Sequence, residues 1–77
     1  MAPKQLRPLS QISNGERVSL VSIDAGHGLK TRLAAMGLLP GVEIAVVNNS
    51  HPGPFVVSVK NTKMILGRGM ADKIVVQ

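Results

Sequence analysis

Residues 28–47 read GLKTRLAAMGLLPGVEIAVV, and they hold the one place where the chain changes its hydrophobic period. Leu29, Leu33 and Met36 fall at i, i+4 and i+7, along one face of a short helix. Lys30, Thr31 and Arg32 lie off that stripe and should face water. Gly37 follows Met36 directly, where a glycine in the left-handed conformation ends a helix. Pro40-Gly41 sets a turn in which Pro fixes φ and Gly supplies the positive φ of type II. Beyond it Val42, Ile44 and Val46 alternate with Glu43 and Ala45, the two-residue period of a half-buried strand. One short helix thus interrupts a chain that otherwise reads as strands.

Upstream, residues 1–8 (MAPKQLRP) are polar with two prolines and read as a flexible tail, which leaves residues 9–77 as a single domain. Leu9 and Ile12 stand three apart, enough for one helical or 3₁₀ turn. Asn14-Gly15 makes a tight turn and Arg17 to Ile23 (RVSLVSI) a first strand, which Asp24 to Gly28 (DAGHG) then breaks. Downstream, Asn48 to Pro54 (NNSHPGP) is the strongest loop signal. Phe55 to Lys60 and Lys63 to Leu66 read as a hairpin with its tip at Asn61-Thr62. Gly67 to Asp72 turns the chain into a closing strand, Ile74 to Val76. About five short strands and one helix cannot cover both faces of a flat sheet, and closing the sheet removes its exposed edges. The expectation is a mainly β fold, a small, partly open β-barrel of the SH3 type, with an OB-like barrel second.

Seventy-seven residues allow one small domain with a thin core and no separate catalytic half. With 44% hydrophobic and 17% charged residues the chain is no disordered segment. No cysteine is present, which excludes disulfides, thiolate zinc sites and a thiol nucleophile. No apolar run approaches the roughly 20 residues that cross a bilayer, and no apolar core follows the basic residues of Met1 to Arg7 as in a signal peptide. A cytoplasmic location is expected. The net charge of +5 raises nucleic acid as a partner. Yet Lys4, Arg7, Arg17, Lys30, Arg32, Lys60, Lys63, Arg68 and Lys73 are scattered, and Phe55 is the sole aromatic for stacking. No nucleic acid is expected.

Metal and catalytic chemistry have little to work with. His27 and His51 sit in Gly/Pro loops, and Asp24 stands three before His27, so these three are weak metal candidates. A dedicated site needs about three supported protein ligands, and spacing offers no third beside Asp24 and His27. Weak binding of a divalent ion such as Fe2+ or Zn2+ is compatible with the imidazoles, and no cofactor is required. The serines show no nucleophile elbow, and Glu16, Asp24, Glu43 and Asp72 are well separated. Gly67-Arg68-Gly69 reads as a plain turn. No enzyme is expected. What remains is surface: Leu29, Leu33 and Met36 fill the inner face, leaving Leu38, Leu39 and Ala35 for a partner rim. The competing reading makes Leu38 and Leu39 core.

Gly28-Leu29, Arg32-Leu33, Met36-Gly37-Leu38 and Pro40-Gly41 together resemble the signature of the FeoA family of ferrous iron transport proteins. The resemblance extends over residues 9–76, through Leu9-Ser10, Gly15-Glu16, the Val42 to Val47 strand, Pro52-Gly53-Pro54 and the tail MILGRGMADKIVV. The chain departs from the family at the extra glycine of Gly67-Arg68-Gly69 and the histidine of NNSHPG. The resemblance implies an SH3-like barrel and a cytosolic accessory role beside the membrane ferrous transporter FeoB, whose cytosolic part is a GTPase. An interaction surface for the transporter is expected at Leu29, Arg32, Met36, Leu38, Leu39, Pro40, Gly41 and Arg68, with Arg32, Lys30 or Arg68 setting electrostatic register. A metal-binding or metal-sensing domain is the second reading and a small basic nucleic-acid binder the third. The unpaired edges of an open barrel also leave room for a homodimer.

Overall fold

The computed structural model describes residues 5–50 and 52–77. Among these residues six strands form one antiparallel sheet: β1 (Arg7–Pro8), β2 (Arg17–Ile23), β3 (Glu43–Asn48), β4 (Phe55–Val59), β5 (Thr62–Leu66) and β6 (Ile74–Val76). A 3₁₀ turn, Leu9–Gln11, follows β1, helix α1 (His27–Ala35) follows β2, and a single turn of helix, α2 (Arg68–Ala71), precedes β6. The strand order is β1-β6-β2-β3-β4-β5, so β1 and β5 are the free edges.

β2 makes the sheet curl. Its first residues pair with β3 (Arg17 with Ala45, Val18 with Ile44, Ser19 with Glu43). From Leu20 onward it pairs with β6, and the register shifts between Leu20 and Ser22. Such a bulge bends a strand and increases its twist, which lets one strand serve two ladders and wrap them round a common core. Alternation fills that core: Val18 and Leu20, Ile44 and Val46, Phe55, Val57 and Val59, and Ile74 and Val76 all point inward and are buried. Leu9 and Ile12 close one end and Leu33 of α1 another, each with no exposed surface. The partly open barrel expected from the sequence is the fold observed.

Several boundaries differ from the sequence reading, β3 for one running on to Asn48. Arg7 and Pro8, assigned to the tail, pair with Val76 and Val75; a two-residue strand containing Pro carries no periodic signal, so only its partner reveals it. Residues 1–4 of that tail lie outside the described residues. The hairpin tip is Lys60-Asn61, both with positive φ (52° and 66°), one residue before the expected position. Those angles belong to the type I′ turn, whose twist matches that of the flanking strands. α1 begins at His27 rather than Leu29.

Glu16, at the entrance to β2, accepts a hydrogen bond from Arg7 at 2.6 Å and a longer one, 3.3 Å, from the Ser13 amide. The Arg7 guanidinium first, and then that amide, hold its carboxyl below the usual range. A carboxylate with a lowered folded-state pKa stabilises above its unfolded pKa, and this is lost as pH falls through the folded value. A Glu16→Gln variant should therefore melt below the parent at neutral pH, and the gap should close below the ordinary carboxylate range. Thermal melts across an acid pH series check this.

Candidate partner-binding site

The end of α1 and the turn after it build a surface cleft. Met36 caps the helix, and Gly37 takes a φ of +91°. The Gly37 amide donates to Ala34 O and the Leu38 amide to Leu33 O, both at 3.0 Å. This is a Schellman motif, which brings the second residue past the cap against the residue three before it. Leu33 and Leu38 are accordingly both fully buried. Leu39, Pro40, Gly41 and Val42 then form the expected turn: Gly41 has a φ of +92°, and the Val42 amide donates to Leu39 O at 3.1 Å. The Gly41 amide donates to Leu20 O at 2.7 Å and the Leu20 amide to Val42 O at 2.9 Å, so the turn is stitched to β2 at its bulge.

Between that turn, the end of β2 and α1 lies an open cleft of about 260 Å³. Val21, Ser22 and Ile23 form one side, Lys30 and Ala34 the second, and Leu38, Leu39 and Pro40 the third. Leu38 supplies the floor from the core, whereas Leu39 is 50% exposed. Among the described residues Lys30 is the only charged side chain lining the cleft, which is otherwise mainly apolar. It can hold an apolar side chain and present a cation to a carboxylate beside it.

The structure brings together Leu38, Leu39 and Pro40 of the expected surface, with Lys30. It corrects the inward and outward roles along the segment: Leu38 is core, and Met36 is turned out, 42% exposed. Helical spacing alone put Met36 inside, but the cap ends the helical path there and gives the inward position to Leu38. Leu29 is half-buried against the core, Arg32 is exposed on α1, and neither lines the cleft. Gly41 shapes the turn without lining it. Val21 and Ile23 line the cleft outside the expected set, as the last apolar residues of β2 and neighbours of the turn.

Arg68 sits elsewhere. Its guanidinium donates to Asn49 Oδ1 at 2.7 Å, Ser50 O at 2.9 Å and Gly53 O at 3.2 Å, and lies 5.7 Å from the centre of the Phe55 ring. Asn49 in turn donates to Ser10 O at 2.9 Å and Ile12 O at 2.8 Å, and its amide reaches Asn14 Oδ1 at 2.5 Å. The Ser10 hydroxyl bonds the Asp72 carboxylate. Arg68 therefore fastens the 48–53 loop and belongs to a structural knot around Asn49, which composition could identify only as a loop.

Asp24 and His27 are both exposed. His27 Nε2 lies 3.4 Å from Thr31 Oγ1, whose hydroxyl donates to His27 O at 2.9 Å. Among the described residues no three His, Cys, Asp or Glu side chains group as metal ligands would. His51 lies outside the described residues.

Comparison with known proteins agrees with this architecture. The FeoA domain model matches residues 7–77. The chain is 40% identical over 70 residues to Fe(2+) transport protein A of Methanocaldococcus jannaschii, covering 91% of this chain and 84% of that protein. A crystal structure of the iron uptake regulatory protein FeoA superposes with a TM-score of 0.87 at 33% identity, covering 95% of this chain and 97% of the other. FeoA of Stenotrophomonas maltophilia, described as an SH3 domain protein and crystallised with zinc, gives a TM-score of 0.77 at 26% identity, over 90% and 87% of the two chains.

Proposed function

The chain belongs to the FeoA family, and from that premise we propose that it is a non-catalytic accessory protein of ferrous iron uptake. In this reading it docks on the cytosolic GTPase part of a FeoB-type transporter and works in the cytoplasm. The observation that carries the reading is the cleft: a preformed, mainly apolar recess beside one cation, of the size and lining that take a partner side chain. The buried side chains among the described residues are all apolar, which suits a binding module better than a water-excluding reaction site. No helix among the described residues is long and apolar enough to cross a membrane, so contact with the transporter is made from outside the bilayer. Ferrous iron is the cargo of the system, and the docking reading gives this chain no ligand role toward it.

Leu39 is the residue on which to test this, because it lines the cleft and half of its surface is free. Leu39→Asp should leave thermal stability within about 1 kcal/mol of the parent, as exposed substitutions do. It should weaken binding to the isolated cytosolic part of the transporter about 5- to 30-fold, the effect of losing one apolar anchor, and reduce ferrous uptake in cells. A folded Leu39→Asp protein with unchanged affinity and unchanged uptake would sink the reading.

A further inference from the structure

A second surface is the free edge of β5, three strands from β2 in the sheet and sharing no lining residue with the cleft. We propose that this edge accepts an extended, acidic segment of another protein as a seventh strand. The hairpin geometry decides which backbone groups are available. The two-residue turn at Lys60-Asn61 makes Val59 and Thr62 the closing hydrogen-bonded pair. In an antiparallel ladder such pairs alternate with non-bonded ones. Thr62, Met64 and Leu66 therefore bond to β4 through their partners Val59, Val57 and Phe55, whereas the amides and carbonyls of Lys63 and Ile65 point away from it. Among the described residues no strand lies beyond β5, so these groups form an unused template of two residues.

Their side chains share the outer face of the sheet. Ile65 is 70% exposed, the most exposed large apolar side chain among the described residues, and lies opposite half-buried Val56; exposed Lys63 lies opposite Ser58. An antiparallel strand added here would set an apolar residue against Ile65 and, two positions later on the same face, a carboxylate against Lys63. Charge selects the occupant. Residues 55–66 contain Lys60 and Lys63 and no carboxylate, and neither lysine is in an ion pair among the described residues. A second copy would bring the same lysines and a net charge of +5 against its like, and lysine on an edge strand is a common device against self-pairing. An acidic strand meets both the backbone template and the charge.

The test uses the full chain, labelled with ¹⁵N, and the peptide acetyl-Thr-Val-Thr-Glu-Thr-amide, with its Glu-to-Lys counterpart as control. At a peptide concentration that fills about nine sites in ten, exchange of the Lys63 and Ile65 amides with solvent should slow about tenfold. Their resonances should shift while those of Val21, Lys30 and Leu39 stay. Ile65→Pro removes an outward amide but no ladder hydrogen bond and should abolish the effect; Lys63→Glu should transfer the preference to the Lys peptide, whether or not the Pro variant folds. Equal response to both peptides, shifts confined to the cleft, or no response overturns the proposal. So does a response of the hairpin to phosphatidylglycerol vesicles alone, which would make this a lipid-facing surface, or a rise in molecular mass with protein concentration, which would make it a dimer edge.

Discussion

Leu38→Ala is expected to lower the melting temperature by about 10–30 °C, whereas Leu39→Ala, one residue later, should leave it almost unchanged. Leu38 has no exposed surface and meets Leu33 through the Schellman motif. Removing a buried leucine down to its Cβ costs about 2–5 kcal/mol, the range depending on how far the cavity can collapse. The total stability of a chain this short is about 4–12 kcal/mol, and each kcal/mol moves the midpoint of such a domain by about 4–8 °C. Leu38→Asp goes further, since it buries a carboxylate without a partner, and it should not fold at 37 °C. Loss of iron uptake in that variant would report unfolding and say nothing about docking, which is why Leu39 carries the functional test. Circular dichroism melts of both alanine variants check the contrast. Equal effects at the two positions would show that Leu38 is not the floor of the cleft.

Asn49→Ala should be the most damaging change at a polar side chain, at about 2–3 kcal/mol, lowering the melting temperature by roughly 10–20 °C. The side chain of Asn49 has both amide protons placed on Ser10 O and Ile12 O and its carbonyl oxygen on Arg68. Alanine leaves those two carbonyls without donors at a part-buried position and frees one arm of the guanidinium. Arg68→Ala should cost less, because the loop keeps the bond from Asn48 Nδ2 to Pro54 O while losing the guanidinium that donates to three of its acceptors and packs over Phe55. The two residues share one hydrogen bond, so the double variant should be more stable than the sum of the single losses implies, by about 0.5–1.5 kcal/mol. Strict additivity in urea titrations would show that the knot is not a unit. Arg68→Lys should recover little, since an ammonium cannot reach three acceptors in the plane of a guanidinium fork.

What was legible in the sequence follows its periodicities. The alternation in RVSLVSI and VEIAV, the helical spacing of Leu29 and Leu33, and the glycines at 37 and 41 placed five strands, one helix and the turn after it. The motif around that turn carried the family. β1 was invisible because two residues hold no period. Asn49 was invisible because its three partners come from segments 19 to 39 positions away, and nothing in Asn-Asn-Ser announces them.

By itself, then, the sequence determined the elements and their chemistry: a mainly β chain without cysteine, with its one specific motif at the helix end. Those properties are local, set by backbone sterics and by which side chains prefer water. The tertiary structure alone decided which apolar residues of GLKTRLAAMGLLPG are core and which are surface. Helical spacing orders residues on a cylinder only while the helix lasts. At Met36 the cap reverses the chain, and inside and outside are then assigned by what the barrel leaves open. The same holds for Arg68, a surface cation by composition, which long-range geometry turned into the fastening of a loop.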